Sequence, residues 1–580
     1  ISKAKNNLIT PEIYQADSYM AEIAQRAYTR YMERLVENNA MDFDDLLLRA
    51  ALLFREHPDV LRRYQGAYDH LLVDEFQDTN SIQYALVHDL ADEHHNLFCV
   101  GDEDQSIYRW RGADYRNVLR LREDYPELET ILLEENYRST QVILDAAQAV
   151  IDRNPYRTPK RLFTRQEGGP EIALFEAHDE QYEAQFVVDS IALLVANENI
   201  DPGECAVMYR TNAQSRVIED AFIRAGLPYR LVGATRFYSR REIKDVLAYL
   251  RLIHNPEDTV SLTRVINVPP RGIGQKTVGA LVNWAREQGM SPGEALIGLA
   301  NDPESGPFGG RARNALAGFA ALLKRWREIR ETTPVSDLIQ RVLAETEYET
   351  YINDRTDQGE ERWANVMELL NVAAEYTELS LTTFIEEVSL VSDVDNLAED
   401  GGAPTLLTLH AAKGLEFGVV FLVGLEDGLL PHSRSFDDPE GMAEERRLLY
   451  VGMTRAKHHL YLTHAFQRSV WGGRELALPS RFLEDIPDHL LTGNRIVGAT
   501  RREVSERAAY QRAITWESQT PDAPEAAYRT GQRVFHPKFG EGIIIQVKAS
   551  GGDHEVTVVF DQEGLKRLLA SMAGMEVLED

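Results

Sequence analysis

The chain has 580 residues, a formal net charge of −31 at pH 7, and 43% hydrophobic residues. This composition excludes a disordered or collagen-like chain, and the length allows about three to five globular domains. No apolar run approaches the ~20 residues that a membrane-spanning helix needs. The acidic balance does not exclude a nucleic-acid partner, because net charge governs solubility and steering rather than the charge of a local groove.

The cysteines and the first residues bear on where the protein works. Cys99 and Cys205, the two cysteines, lie in apolar runs typical of strands. We therefore expect buried thiols rather than a disulfide or metal site, and a cytoplasmic location fits them. The chain begins with Ile1 and opens into charged helical sequence. We expect a truncated start, so the absence of a signal peptide says little about targeting.

After helical sequence to about residue 48, the stretch LLVDEFQDTN at 71–80 predicts a short buried strand that ends in carboxylates. In parallel α/β sheets, ligands bind beyond the carboxyl ends of the strands. Asp74 is suited there to hold Mg²⁺, and Glu75 to deprotonate a water aimed at a phosphoryl group. A solvated acidic turn is the alternative, and the stretch alone favours neither.

The next predicted strand, in NLFCVGD, leads into GDEDQSIYRWRGAD at 101–114. Gln105 lies a few residues beyond that strand end, where an amide can sense a terminal phosphate. Tyr108 and Trp110 alternate with Arg109 and Arg111, which combines stacking faces with positive charge, as a single-strand platform requires. Ordinary core aromatics remain the alternative for Tyr108 and Trp110.

The stretch TILLEENYRST at 130–140 predicts another strand, followed by the start of a helix. Arg138 is placed to reach a phosphate from a neighbouring domain, as an arginine finger does. Tyr137 beside it is suited to stack on a base. Strand and helix patterns alternate again through EIALFEA and ECAVMYRTNAQSR, which predicts a second doubly wound domain from about residue 132.

Residues 235–403 change to a mainly helical pattern with Pro- and Gly-containing joints. Gly272, Ile273 and Gly274 suit a hairpin-like turn whose backbone N–H groups meet a duplex phosphate, and a plain turn is the alternative. Strand patterns resume at 405, so the helical part interrupts the second α/β domain. Arg455 lies at the junction of a helix and a strand within 444–465.

The last part of the chain contains two different sequence patterns. Residues 491–528 are polar with little apolar periodicity, which predicts a linker. From 529 onward, short strand patterns separated by glycine turns predict a small β-barrel.

Seven blocks, taken in order, resemble superfamily 1 DNA helicases of the UvrD/PcrA/Rep type, and the resemblance covers nearly the whole chain. The blocks are VDEFQD, VGDEDQSIYRWRGA, LEENYRS, YRTNAQSR, RFYSRREIKD, LHAAKGLEF and RRLLYVGMTRAK. The fold class implied is α/β: two RecA-like motor domains, the first incomplete, a mainly helical insertion and a C-terminal Tudor-like β-barrel. The implied domains are a remnant of the first helical insertion (1–40), the first motor domain (41–131), the second motor domain (132–234 and 404–490), the helical insertion (235–403), the linker (491–528) and the barrel (529–580).

The resemblance also implies the function and its residues. It implies an ATP-dependent 3′→5′ DNA helicase and translocase of repair or replication, with ATP and Mg²⁺ as cofactors and single-stranded DNA and a duplex junction as partners. The barrel would contact RNA polymerase. The nucleotide site would consist of Asp74 (Mg²⁺), Glu75 (general base), Gln105, Arg138 and Arg455 (γ-phosphate), Tyr137 (adenine) and Glu416. The DNA contacts would be Tyr108, Trp110, Arg111, Arg210, Asn212, His410, His432 and Trp471, with Gly272, Ile273 and Gly274 on the duplex, and Arg111 and Lys413 would couple the two sites.

One departure from the family pattern is prominent. The family carries a phosphate-binding loop, GxxxxGK[ST], upstream of these blocks, and no such run occurs in residues 1–580. We therefore expect a fragment that hydrolyses ATP negligibly by itself. Two alternatives are a non-catalytic protein that holds DNA or RNA polymerase, and the motor half of a helicase–nuclease. The latter needs a nuclease domain after about residue 490, where a short barrel is predicted instead.

Overall fold

A computed structural model describes residues 1–155, 157–166, 168–375, 380–394, 402–470, 473–493, 532–550, 553–560, 564–570 and 573–578. The chain divides into two units, Ile1–Gly498 and Ala499–Asp580. Trp471 and residues 494–528 of the predicted linker lie outside the described residues. Within the part that is described, no helix is long and apolar enough to cross a membrane.

The larger unit begins with helices around a small parallel sheet. The helices are α1 (Ser2–Lys5), α2 (Tyr19–Glu37), α3 (Phe43–Glu56), α4 (Pro58–Gln65), α5 (Ser81–Ala91) and α6 (Asn117–Asp124), and the strands are β1 (Leu71–Val73) and β2 (Leu97–Cys99). The first residues of α3 and α5 are fixed by local sequence, since Asp42 and Asn80 each form a capping box at the helix N-terminus. Val73 pairs with Cys99 in parallel register, so both strands end at the same edge.

The strand predicted at 130–133 is wrong. Residues 131–134 have no regular secondary structure, and the nearest pairing is an isolated bridge from Glu135 to Phe163. Ile131 and Leu133 are 70% and 81% exposed. An apolar run becomes a strand only where a neighbouring strand accepts its backbone hydrogen bonds, and this one lacks such a partner among the described residues.

The next part contains a seven-stranded sheet in the order β11-β3-β8-β7-β4-β6-β5, and all its pairs are parallel. Its strands are β3 (Ile172–Ala177), β4 (Cys205–Tyr209), β5 (Arg230–Val232), β6 (Thr405–Thr408), β7 (Phe417–Leu422), β8 (Ala456–Ala465) and β11 (Leu491–Gly493), and its helices are α7 (Gln141–Ile151), α8 (Glu180–Glu198), α9 (Ser215–Arg224) and α19 (Pro439–Met453). A hairpin of β9 (Gln467–Val470) and β10 (Gly473–Leu476) lies beside it in the chain. Strands β4 and β7 are buried along their whole length, as expected of a parallel sheet covered on both faces. Strand β11 lies at the start of the range predicted as a linker.

A series of helices follows β5 and precedes β6, two neighbouring strands of the sheet, so helical residues separate these strands in the chain. Its helices are α10 (Arg241–His254), α11 (Thr259–Val265), α12 (Gln275–Glu287), α13 (Pro292–Asn301), α14 (Gly310–Ile329), α15 (Val335–Glu345), α16 (Tyr348–Ile352), α17 (Asp357–Glu375) and α18 (Leu381–Val394). They share one apolar core centred on the buried Trp326, whose ring meets that of Tyr249 edge-on at 5.9 Å.

The smaller unit is a β-barrel-like sheet in the order β15-β14-β13-β12-β16. The strands are β12 (Arg533–His536), β13 (Gly540–Ser550), β14 (Asp553–Phe560), β15 (Gly564–Leu569) and β16 (Glu576–Val577). Its described pairs are antiparallel, and Val534, Ile544, Val556, Val558 and Phe560 form its core. The predicted small β domain is confirmed.

Candidate nucleotide cleft and nucleic-acid surface

One of the two carboxylates predicted at the end of β1, Glu75, is held by a buried glutamine. Gln77 donates from Nε2 to Glu75 Oε2 at 2.6 Å, and its Oε1 accepts the backbone N–H of Asp102 at 2.9 Å. A Cβ added to Gly101 would lie 2.4 Å from that Oε1, so a larger residue there would displace the Gln77 amide. Asp74 and Glu75 themselves are exposed. The strand edge thus presents two open carboxylates, one of which has a defined orientation.

Asp74 has the chemistry of a Mg²⁺ ligand. Its Oδ1 accepts the backbone N–H of Glu75 at 2.9 Å, and its other oxygen is directed away from that bond. In the described part of the chain, no group of three or more His, Cys, Asp or Glu side chains could hold a metal ion by itself. Mg²⁺ needs no such group, since one or two carboxylates, waters and substrate phosphates complete its octahedron. Asp74 therefore fits a magnesium ion that arrives with a phosphorylated substrate.

Gln105 and Arg455 are in contact although they lie far apart in the sequence of the larger unit. Gln105 donates from Nε2 to Asp102 Oδ2 at 2.8 Å, and its Oε1 accepts from Arg455 Nη2 at 3.3 Å. Arg455 lies between α19 and β8, and its Nη1 donates to the carbonyl of Leu415 at 3.3 Å. Burial, and then the charge of Arg138, lower the pKa of Arg455 to about 10. The guanidinium is therefore still cationic at neutral pH.

Arg138 is the second predicted phosphate contact, and it lies beside a carboxylate. Its Nε donates to Glu416 Oε2 at 2.7 Å, and Lys457 Nζ is 3.1 Å from Glu416 Oε1. The hydrogen bonds from Arg138 and then Lys457 lower the pKa of Glu416. The neighbouring ring of Tyr137 is 78% exposed, so both of these predicted nucleotide contacts border open space.

Lys413 connects the acidic strand end to the aromatic segment. Its Nζ forms an ion pair with Asp78, lies 3.5 Å from Glu75 Oε2 and donates to the backbone carbonyl of Gln105 at 2.8 Å. The same ammonium is 5.3 Å from the ring centroid of Tyr108. Burial raises the pKa of Asp78 against the opposing effect of Lys413. Lys413 thus contacts both regions that the sequence assigned to separate ligands.

The aromatic segment has one open face. Trp110 is 46% exposed, and the Arg111 guanidinium lies 4.5 Å from its ring centroid. Tyr108 is half-buried, and its hydroxyl donates to the backbone carbonyl of His410 at 3.3 Å. The two aromatics therefore differ, since Trp110 offers a stacking face and Tyr108 joins two parts of the unit.

Two of the other predicted DNA contacts, Arg210 and Asn212, are paired with carboxylates. Arg210 Nη2 donates to Glu445 Oε1 at 2.6 Å, and Glu445 Oε2 accepts the backbone N–H of His432 at 3.1 Å. The Asn212 amide donates to Glu361 on α17. Burial, and then the charges of Arg210 and Arg111, lower the pKa of His410 to about 3. His410 is therefore neutral at physiological pH.

The glycine turn of the insertion has its own internal support. Gly272 has a φ of +76°, a conformation that favours glycine, and Ile273 beside it is buried. Arg271 faces inward, since its Nη2 donates to the Tyr249 hydroxyl at 2.6 Å and its Nη1 to the Val265 carbonyl at 3.0 Å. The charge beside the turn thus serves its packing.

Sequence reasoning missed the residues that hold these side chains. Gln77 and Asp78 belong to the block VDEFQD, and Glu445 directly precedes the block RRLLYVGMTRAK, but none of the three received a role. Their partners lie far away in the chain, as Lys413 does from Asp78 and Arg210 from Glu445. The sequence shows these residues only as part of a run of carboxylates and amides. Such a run does not indicate which side chain forms a hydrogen bond or ion pair with a distant residue.

Three family descriptions match consecutive parts of the chain. "UvrD/REP helicase N-terminal domain" matches residues 1–126, and "UvrD-like helicase C-terminal domain" matches residues 131–467. The chain belongs to the UvrD/PcrA helicase family. "PcrA/UvrD tudor domain" matches residues 530–576, the range of the smaller β unit.

Curated relatives align along the whole chain. A protein named "ATP-dependent DNA helicase PcrA" from Bacillus subtilis (strain 168) is 40% identical over 601 residues, which cover 99% of this chain and 80% of that protein. Proteins of the same name from Staphylococcus aureus (strain Mu50) and Leuconostoc citreum are each 39% identical and cover 100% of this chain and 80% of their own length.

The predicted nucleotide contacts are divided between the two helicase domains. Asp74, Glu75 and Gln105 lie in the range matched by the N-terminal description. Arg138 and Arg455 lie in the range matched by the C-terminal description. The hydrogen bond from Arg455 to Gln105 therefore joins the two helicase domains at the candidate site.

Proposed function

We propose that this chain is an ATP-dependent DNA helicase that moves 3′→5′ along single-stranded DNA in repair or replication. The observation that carries the proposal is the contact of Gln105 with Arg455 across the two helicase domains, at 3.3 Å. A γ-phosphate between these domains would meet a carboxylate edge on one side and guanidinium groups on the other. Two domains that share one ATP can convert its hydrolysis into relative motion.

Each side chain of the cleft has a role in phosphoryl transfer to water. Glu75, oriented by Gln77, accepts a proton from the attacking water. Arg138 and Arg455 stabilise the charge that develops on the γ-phosphate, and Gln105 senses that phosphate. Asp74 holds Mg²⁺, which when bound neutralises phosphate charge. The exposed ring of Tyr137 stacks on adenine, and Glu416 borders the nucleotide.

The DNA path follows the aromatic segment. Trp110 stacks on a base while Arg111 neutralises a nearby phosphate. The path continues along Tyr108, Arg210, Asn212, His410, His432 and Trp471, and the duplex ahead of the fork meets the turn Gly272, Ile273 and Gly274. His410 contributes as a neutral ring, because its pKa is about 3.

The remaining parts of the proposal concern organisation and partners. We propose that the second motor domain is interrupted by a helical insertion at 235–403, and that these parts move as the separate domains of the motor. The β unit at 530–576 is proposed to contact RNA polymerase. Cys99 and Cys205 are free thiols, which suits a cytoplasmic location.

The first test compares two forms of the protein. The 580-residue chain is expected to hydrolyse ATP negligibly, because it contains no GxxxxGK[ST] run to grip the phosphates. An extended chain, in which a segment carrying the family's phosphate-binding loop precedes Ile1, is expected to show DNA-stimulated ATP turnover. It should also unwind a duplex with a 3′ tail and leave one with a 5′ tail intact.

Two results would contradict this proposal. Robust DNA-stimulated turnover by the 580-residue chain would show that the phosphates are gripped by other residues. A folded extended chain that binds DNA but neither hydrolyses ATP nor unwinds the 3′-tailed duplex would remove the helicase assignment.

Trp110→Ala is expected to weaken single-stranded DNA binding by the 580-residue chain about tenfold or more, since a stacked base contributes ~1–3 kcal/mol. Fluorescence anisotropy with a labelled oligonucleotide at fixed salt measures the dissociation constant. Trp110→Tyr retains a stacking face and should bind nearly as the parent does. Tyr68→Ala, at another exposed aromatic, is the matched control. Equal affinities of Trp110→Ala and the parent would exclude Trp110 from the DNA path.

A further inference from the structure

Two cations on the segment after α7 reach the turn that carries Gln105. Arg157 binds Asp104 through two parallel hydrogen bonds, Nε to Oδ1 at 3.1 Å and Nη2 to Oδ2 at 2.7 Å. Lys160 forms an ion pair with Asp102, and its Nζ is 2.8 Å from Asp104 Oδ2. Sequence analysis assigned no role to these four residues, and the proposed mechanism does not use them.

The cluster is largely buried, and its members remain charged. The side chains of Asp104, Arg157 and Lys160 are 2%, 11% and 14% exposed. Burial would lower the pKa of Lys160, but the charges of Asp102 and Asp104 outweigh it and raise that pKa. Burial would raise the pKa of Asp104, but Arg157 and Lys160 outweigh it and lower that pKa. Removing Lys160 therefore leaves Asp102 without its ion-pair partner and Asp104 with Arg157 alone, which is unfavourable in a largely buried cluster.

The cluster joins the two helicase domains. Asp102 and Asp104 belong to the range matched by the N-terminal family description, and Arg157 and Lys160 belong to the C-terminal range. The backbone N–H of Thr158, between the two cations, also donates to the Glu103 carboxylate. The contact is thus made by a whole segment rather than by one long side chain.

Asp102 connects Lys160 to Gln105. One oxygen of Asp102 pairs with Lys160, and the other, Oδ2, accepts from Gln105 Nε2 at 2.8 Å. An amide whose nitrogen is engaged in this way must direct its oxygen elsewhere, and Gln105 Oε1 faces Arg455 Nη2 at 3.3 Å. A series of contacts therefore runs from the C-terminal helicase domain to the N-terminal one and back. Its four side chains are Lys160, Asp102, Gln105 and Arg455.

We propose that Lys160 is a positioning residue that orients the Gln105 amide in the nucleotide cleft by anchoring Asp102 across the junction of the two helicase domains. The role at the γ-phosphate rests on the proposed function, whereas the anchoring itself does not. Without Lys160, Asp102 keeps its hydrogen bond from the backbone N–H of Asp104 at 3.0 Å but loses its ionic partner, so its hold on the Gln105 amide weakens. Recognition of the terminal phosphate then suffers, while contacts to adenine and to the inner phosphates stay.

The native thiols test the anchoring in the 580-residue chain. Cys99 ends β2, three residues before Asp102. It is partly buried, and burial raises its pKa to about 11, so its labelling by a thiol reagent is slow in the closed state and accelerates when this region opens. Cys205 is buried in β4 and reports global unfolding. Lys160→Met is expected to accelerate labelling of Cys99 by Ellman's reagent about tenfold and to leave Cys205 unchanged. Lys160→Arg should restore the slow rate.

The extended chain tests the effect on Gln105. Lys160→Met is expected to lower both kcat and the affinity for a non-hydrolysable ATP analogue about tenfold, with ADP affinity unchanged. Gln105→Ala should have the same signature, and the double variant should be no worse than either single one. If Lys160→Met folds poorly, Lys160→Gln, a smaller change, replaces it. This variant should show the same loss of kcat and of ATP-analogue affinity with unchanged ADP affinity. Lys324→Met, on α14 of the insertion, is the matched control.

The outcomes separate the two levels of the proposal. Unchanged Cys99 labelling, or equal acceleration at Cys205, overturns the anchoring role of Lys160. Fast Cys99 labelling together with additive effects of Lys160→Met and Gln105→Ala overturns the path through Gln105. An extended chain that lacks ATP turnover even with Lys160 present contradicts the proposed function alone, since the thiol measurement still decides the anchoring.

Discussion

Arg455→Ala in the extended chain is expected to lower DNA-stimulated ATP turnover about 10³-fold, the lower end of what an arginine finger contributes. The guanidinium is held before substrate arrives, because its Nε donates to the Val451 carbonyl at 3.1 Å and its Nη1 to the Leu415 carbonyl at 3.3 Å. This support leaves the face toward Gln105 for a phosphate. Steady-state kinetics should show the loss mainly in kcat.

Charge alone does not restore the function of Arg455. Arg455→Lys keeps a cation but loses the planar fork and its backbone contacts, so it is expected to recover only a small part of the turnover. Arg313→Ala, which removes an ion pair with Glu304 in the helical insertion, should hydrolyse ATP as the parent does. Since the pKa of Arg455 is about 10, its contribution should be constant from pH 7 to 8.5 and decline as pH rises through 10. Near-parental turnover by Arg455→Ala would remove this residue from the cleft.

Glu75→Gln in the extended chain is expected to lower kcat by about 10²–10⁴-fold, the usual contribution of a positioned general base. The amide retains an oxygen that can accept from Gln77 Nε2, whereas the proton acceptor and the negative charge that lies 3.5 Å from Lys413 Nζ are lost. ATP and single-stranded DNA should therefore bind with nearly parental affinity. Initial rates and equilibrium binding to the same protein separate the two effects.

The matched control for Glu75 is Glu93→Gln, which changes an exposed glutamate just after α5 in the same domain. It removes the same charge and should leave kcat unchanged. If both variants lose activity equally, the loss reflects domain charge rather than proton transfer. If Glu75→Gln loses ATP binding instead of kcat, Glu75 acts as a ligand for the nucleotide or its metal ion.

Local sequence was sufficient for the elements that carry the site. The run Leu71–Val73 forms the predicted strand β1, but the prediction that it is buried is wrong, since Leu72 is 75% exposed. The predicted junction of a helix and a strand at Arg455 is present, since α19 ends at Met453 and β8 begins at Ala456. These assignments succeeded because an apolar run of strand length, followed by polar residues, leaves the backbone few alternatives. The same reasoning failed at residues 130–133, where an equally apolar run has no neighbouring strand and stays exposed.

The sequence by itself determined which chemical groups stand at the ends of which elements, and seven ordered blocks were enough to indicate the helicase family. The tertiary structure alone decided how those groups are paired: Lys413 with Asp78, Arg210 with Glu445, and Lys160 with Asp102. Helix caps and apolar periodicity depend on residues a few positions apart. An ion pair between residues far apart in the chain depends on how whole domains pack, because burial decides which of many possible charge partners is close and poorly solvated.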